Sequence, residues 1–119
     1  MPFQNILREC VTGVPGAVAA LFLDHEGEAV AIETEGCSLH DAKVIGAYAG
    51  IFLTRMERIV GRMGQGTTHR LKLDFERAAI LTSFLQDGYY LVLVLGQGTI
   101  EGHAWRKMDR TREALLNEM

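Results

Sequence analysis

The run SLHDAKVIGAYAGIFLTRMERIVGRM, Ser38 to Met63, sets how the rest of the chain is read. Its periodicity predicts one long helix between two stop signals. The Ser38 hydroxyl can accept from a free backbone N–H of the first turn, and Asp41 follows three residues later. Gly64 stands where a left-handed residue closes a helix. At about 1.5 Å per residue the helix spans roughly 37 Å, more than a small domain needs. Ala42, Ile45, Ala49, Phe52, Leu53, Met56, Ile59, Val60 and Met63 fall on one broad stripe, expected to pack on a sheet. Gly46, Gly50 and Gly61 form a strip of small residues beside it. Glycine within a helix costs about 1 kcal/mol relative to alanine, so three of them suggest close approach by another backbone. Val44, Ile51, Arg55 and Arg62 face the other way. The helix is therefore expected to cover its own sheet and to meet a second chain, with Gly46 and Gly50 at the dimer axis.

The flanking segments supply the sheet. Ala17 to Leu23 and Tyr89 to Leu95 are continuously apolar, as central strands covered on both faces are. Glu28 to Thr34 mixes small and charged residues and suits an edge. In Thr67 to Phe75, His69, Leu71, Leu73 and Phe75 alternate with Thr68, Arg70, Lys72 and Asp74, giving one dry and one wet or interfacial face. Ala78 to Leu85 is joined to it through Glu76-Arg77, and Asp87-Gly88 marks a type I′ hairpin into the last strand. Helices are expected over Phe3–Thr12 and His103–Glu118. The order is thus helix, two strands, helix, three strands, helix (αββαβββα), an α+β architecture in one domain, 1–119. The long helix covers one face and the terminal helices the other. Thr67–Phe75 then lies at an outer edge with neither proline nor bulge to protect it. Pairing with its own copy would give an isologous dimer through residues including Thr68, Arg70 and Lys72.

Composition narrows the function. The 119 residues carry a formal net charge of -3, with 48% hydrophobic and 23% charged residues. That balance gives no electrostatic case for nucleic-acid binding. No run is long and apolar enough for membrane insertion, and the N-terminus lacks a secretory pattern. Two cysteines, Cys10 and Cys37, are too few for a disulfide framework, so reduced thiols and a cytoplasmic location are expected. Cys37, just before the long helix, is the better candidate for a mildly reactive thiol, although both are read as structural. The four histidines have no metal-ligand spacing. Gly96-Gln97-Gly98 with Gly102 opens a helix after a strand. A dinucleotide-binding turn needs a further strand and an acidic residue that this segment does not supply. Cofactor and metal are accordingly expected to be none, and the chain is not expected to be an enzyme. Tyr48, Ile51, Arg55 and Arg58, with Val44 and Arg62 nearby, give an aliphatic, aromatic and arginine mixture. That mixture suits a partner-binding face better than a catalytic pocket.

The turn Gly13-Val14-Pro15-Gly16-Ala17, the strand after it, Asp24-His25-Glu26-Gly27, the long Ala/Gly-containing helix and the three-stranded meander together resemble the Roadblock/dynein light chain family, over residues 3 to 118. The resemblance implies a five-stranded antiparallel sheet between helices, a profilin-like sandwich. It also implies dimers joined through the third strands with the long helices packed together. Members regulate or anchor Ras-like small GTPases or serve as adaptors, and MglB-type members stimulate GTP hydrolysis by a partner. No catalytic residue transfers. The expected function is a non-catalytic homodimeric regulator of a Ras-like GTPase. A dimeric scaffold that localises partners without changing GTP turnover is the alternative, and a small-molecule sensor is a third reading. An arginine among Arg55, Arg58 and Arg62 could supply charge in trans. Reshaping of the GTPase's own switch segments is preferred, because no single arginine stands apart.

Overall fold

The computed structural model describes residues 2–119. Along the chain lie α1 (Pro2–Thr12), β1 (Ala17–Leu23), β2 (Ala29–Thr34), α2 (Leu39–Arg62), β3 (Arg70–Asp74), β4 (Ala79–Phe84), β5 (Tyr90–Leu95) and α3 (Glu101–Glu118). The strands form one sheet in the order β2-β1-β5-β4-β3, with every neighbouring pair antiparallel. The two continuously apolar strands are neighbours at its centre, and β2 and β3 are its edges, as the sequence predicts. β3 is four residues shorter than expected, because the chain from Gly64 through His69 is still connecting the helix to the sheet.

Local chemistry explains the boundaries. Ser38 Oγ accepts from Asp41 N–H at 3.1 Å and caps α2. At the other end Gly64 adopts φ +70, Gly64 N–H donates to Gly61 O, and Gln65 N–H donates to Val60 O. That paired pattern is a Schellman closure. Asp87 and Gly88 both have positive φ, the geometry of a type I′ turn, and deliver β4 into β5.

Alternation along the central strands divides the core in two. Ala20, Phe22, Leu91, Leu93 and Leu95 face α1 and α3, where Leu7, Cys10, Met108 and Leu115 complete one buried cluster. Ala19, Leu21, Leu23, Tyr90, Val92 and Val94 face α2, where Ala42, Ala49 and Leu53 complete the other. Each fully buried aliphatic side chain contributes about 1.5–3 kcal/mol by leaving water. The two faces are not covered equally. α1 and α3 together span the width of their face, whereas α2 packs on β2, β1 and β5 and leaves β4 and β3 largely open.

Candidate functional site

The α2 surface is divided differently from the sequence expectation. Of the long apolar stripe, only Ala42, Ala49 and Leu53 are fully buried, joined by Gly46 and Gly50. Phe52, Met56, Ile59 and Met63 are 46, 40, 44 and 64% exposed. The cause is the roll and crossing of the helix. Small residues together with Leu53 face the sheet, and the second half of α2 is mostly exposed.

Gly46 and Gly50 are consequently spent inside the protomer and not at the open surface expected for a dimer axis. A Cβ at Gly46 would lie 2.8 Å from Leu23 Cδ2, and one at Gly50 would lie 2.0 Å from Tyr90 Oη. The Tyr90 hydroxyl donates to Gly46 O at 3.1 Å, in the space the two glycines leave. Burial, with Asp24 adding to it, pushes the Tyr90 phenol up to about 12. The phenol is therefore neutral and a permanent donor. The glycine strip is a close-packing device for the helix on its own sheet. Gly61 differs: among the described residues a Cβ there would meet no neighbouring element within 4 Å.

The β3 edge is open. Phe84 N–H donates to His69 O, and Phe75 N–H donates to Ala78 O. Hydrogen bonding in an antiparallel ladder alternates, so His69, Leu71, Leu73 and Phe75 direct their backbone groups at β4. Thr68, Arg70, Lys72 and Asp74 direct theirs outward, away from the sheet. The Arg70 and Lys72 side chains are already engaged within the protomer. Arg70 lies 3.5 Å from Asp109 and stacks over Trp105 at 5.0 Å, and Lys72 pairs with Glu101. These residues therefore offer a partner backbone groups, not free charges. Thr68 Oγ1 is buried with no hydrogen-bond partner among the described residues.

Tyr48 and Ile51 are exposed, as the partner-binding expectation requires. Ile51, Arg55, Arg58 and Arg62 line one wall of a groove of about 550 Å³, with His25 and Glu26 of the β1–β2 loop across from them. Tyr48 lies outside the groove lining. Reading the helix alone did not reveal this groove, because its second wall comes from a loop distant in sequence. The missed apolar flank, Phe52, Met56 and Met63, had one signal in the sequence: a helix longer than its sheet.

The cysteines offer no ready thiolate. Burial raises the Cys10 thiol, and nearby Thr111 and Lys107 offset it only in part. Burial and then the Asp41 carboxylate raise Cys37, which reverses the mild activation expected beside a helix N-terminus. Among the described residues no group of three or more His, Cys, Asp or Glu side chains converges as a metal site. None of the described helices is long and apolar enough to cross a membrane.

No protein-family model matches the chain, and no curated protein matches its sequence. Solved structures are similar to it. The Roadblock/LC7 domain from Streptomyces avermitilis superposes with a TM-score of 0.84 at 16% identity, over 94% of this chain and 92% of that one. The gliding protein MglB from Thermus thermophilus gives 0.87 at 18% identity, over 98% and 87%. Profilin IA from Acanthamoeba castellanii gives 0.65 at 15% identity, over 98% of both chains. These identities carry fold and not activity, and the fold of this chain is the Roadblock/LC7 sandwich in its wider profilin-like class.

Proposed function

We propose that the chain acts as a non-catalytic homodimer that binds and regulates a Ras-like small GTPase in the cytoplasm. One observation carries the dimer: the open β3 edge and the exposed apolar flank of α2 adjoin the same uncovered face. A single two-fold operation would pair Thr68, Arg70 and Lys72 with their copies through the backbone. It would also bury Phe52, Met56 and Met63 against the partner helix. Gly46 and Gly50 contribute indirectly, by letting α2 sit low on its sheet.

The GTPase part rests on the sequence resemblance and on a fold close to that of MglB. The Tyr48–Ile51–Arg55–Arg58 flank lies away from the proposed two-fold contact and stays available to a partner. The exposed mixture of aromatic, aliphatic and guanidinium groups favours recognition over covalent chemistry. Stimulation would then come from ordering the GTPase's own switch segments.

The test is capture of each Ras-like GTPase encoded in the source genome, loaded with GDP or with a GTP analogue, together with its rate of GTP hydrolysis. Binding that depends on the nucleotide state, with altered turnover, is expected. Binding without a change in turnover would move the function to a scaffold. Absence of binding in both states for every Ras-like GTPase of the source genome would overturn the GTPase reading. Light scattering should give about twice the 13.2 kDa chain mass.

A further inference from the structure

The groove between α2 and the β1–β2 loop has a chemistry of its own. Arg55, Arg58 and Arg62 project from one stripe of α2, and all three line it. Among the described residues none of the three makes a salt bridge. By contrast, Arg70 and Lys72 are paired with acidic residues of α3. Ile51 and Ile59 interrupt the guanidiniums with apolar surface. Across the groove His25 and Glu26 lie 3.5 Å apart, so the loop wall carries its own acidic group. One wall is thus cationic and the other is not, in a chain whose net charge is -3.

We infer that this groove binds a short acidic segment of a partner protein, lying along α2 with its carboxylates toward Arg55, Arg58 and Arg62. This rests on the partner-binding reading above and names what that surface takes. Spacing supports it. Arg55 to Arg62 spans about 10 Å along a helix that rises about 1.5 Å per residue. An extended peptide presents alternate residues on one side about every 7 Å. Acidic residues at i, i+2 and i+4 therefore cover the length of the stripe and supply one carboxylate for each guanidinium. Guanidinium forks match carboxylates in bidentate geometry, which favours this occupant over a diffuse counterion cloud. A membrane surface is a poor match, because the arginines line a concavity whose far wall holds Glu26. The same carboxylate keeps the acidic side chains on the α2 side, since an acidic peptide displaced toward the loop would meet a like charge. In the proposed dimer the groove stays open, because it lies on the opposite flank of α2 from Phe52 and Met56.

The probe is a short fluorescein-labelled peptide of alternating Glu and Leu, with its Gln-for-Glu counterpart as control. Anisotropy is read against the full chain. The acidic peptide should bind and weaken steeply with added salt, and the Gln peptide should not bind. Replacing all three arginines by alanine should reduce affinity roughly tenfold to hundredfold, the sum of three exposed charge pairs. Arg58→Glu should abolish binding while the melting temperature and the oligomeric mass stay unchanged. Equal binding of the Gln peptide, or full affinity in the triple-alanine variant, would overturn the assignment. So would sedimentation of the protein with phosphatidylserine vesicles while the peptide stays free. Failure of this proposal is separable from failure of the GTPase reading. If the peptide binds and no GTPase does, only the GTPase reading falls. If a GTPase is captured equally by the triple-alanine variant and the peptide does not bind, only the acidic-segment assignment falls.

Discussion

At the β2 edge of the sheet a side chain already occupies an outward backbone group, whereas at the β3 edge none of the described residues does. Glu35 N–H donates to Val18 O, so by alternation Ile32 and Thr34 turn their backbone groups away from β1. Gln4 of α1 reaches round and donates to Ile32 O at 2.6 Å, and also pairs with Glu33, which Arg8 meets as well. α2 lies close over this half through Gly46 and Gly50. The β3 half has α3 on one face only, held by Arg70–Asp109 and Lys72–Glu101. Among the described residues no helix packs closely over its other face, where Leu71, Ile80 and Phe84 only adjoin the cluster under α2, and no hydrogen bond reaches its outer backbone. Edge strands are ordinarily blocked against pairing. One guarded edge and one open edge in the same sheet favour the open one for the proposed pairing with a second copy.

The largest effect should come from proline at each edge in turn. Arg70 and Ile32 both direct N–H outward, so proline at either spares the internal ladder. Arg70→Pro should remove an intermolecular donor and convert the dimer to monomers in light scattering. Ile32→Pro should leave the oligomeric mass unchanged. A dimer that survives Arg70→Pro, or is lost on Ile32→Pro, breaks the contrast between the edges.

Next in size is the test of what the glycines do. Gly50→Ala forces a methyl against the Tyr90 hydroxyl, which is itself held by Gly46 O. Overpacking of this kind costs about 1–3 kcal/mol. The melting temperature should fall several degrees while the dimer dissociation constant, measured below that temperature, stays the same. A dimer-specific loss with unchanged stability would return Gly50 to the two-fold axis. Tyr90 adds a pH signature. Its folded pKa is raised from 10.0 to about 12, so the native state keeps a proton that the unfolded chain releases. Stability should therefore decline as pH rises from the first value to the second, and Tyr90→Phe should remove that decline.

Most of this fold was legible in the sequence because its signals are local. Ser38, Gly64 and Asp87-Gly88 act through groups a few residues away, and the two apolar strands are continuous runs. The edge position of β3 followed from its alternation and its short turn to β4. The roll of α2 was not legible. Its stripe of large residues and its strip of glycines lie side by side, and either could face the sheet. Tyr90, far along the chain from Gly46 and Gly50, decides between them. The groove escaped for the same reason: Arg55 and Arg58 could be named as a flank, but the wall carrying His25 comes from elsewhere in the chain.

A smaller effect is expected where Gln4 guards the β2 edge. Gln4→Ala leaves Ile32 O without its side-chain donor, a loss of about 1 kcal/mol for a part-buried hydrogen bond. The stability change should show in denaturant titration with no loss of the proposed dimer. If Gln4 is a true edge guard, concentrated samples of the variant should also form species larger than the dimer, through the second edge. Samples that remain dimeric at every concentration would assign that protection to α2 and Glu33 instead.

The smallest expected effect concerns the clamp that holds β3 on its covered face. The hydrogen bond from Lys72 is the main cause that lowers the Glu101 carboxyl, and the same bond raises the Lys72 ammonium. A depressed carboxyl contributes stability above its unfolded value and loses it as pH falls through the folded one. A raised lysine contributes below its unfolded value and loses it as pH climbs through the folded one. The clamp is therefore complete across neutral pH and opens at both extremes. Both groups are exposed, so salt weakens the pair and its effect on global unfolding is slight. The place to measure it is β3 itself. Acidification below the usual carboxylate range should speed amide exchange at Leu71 and Leu73, whose N–H groups serve β4, ahead of those in β1. Glu101→Gln should give the same faster exchange already at neutral pH. Equal exchange in the variant and the parent chain would mean that β3 is held by β4 and the Arg70–Trp105 stack alone, with its readiness to pair independent of the clamp.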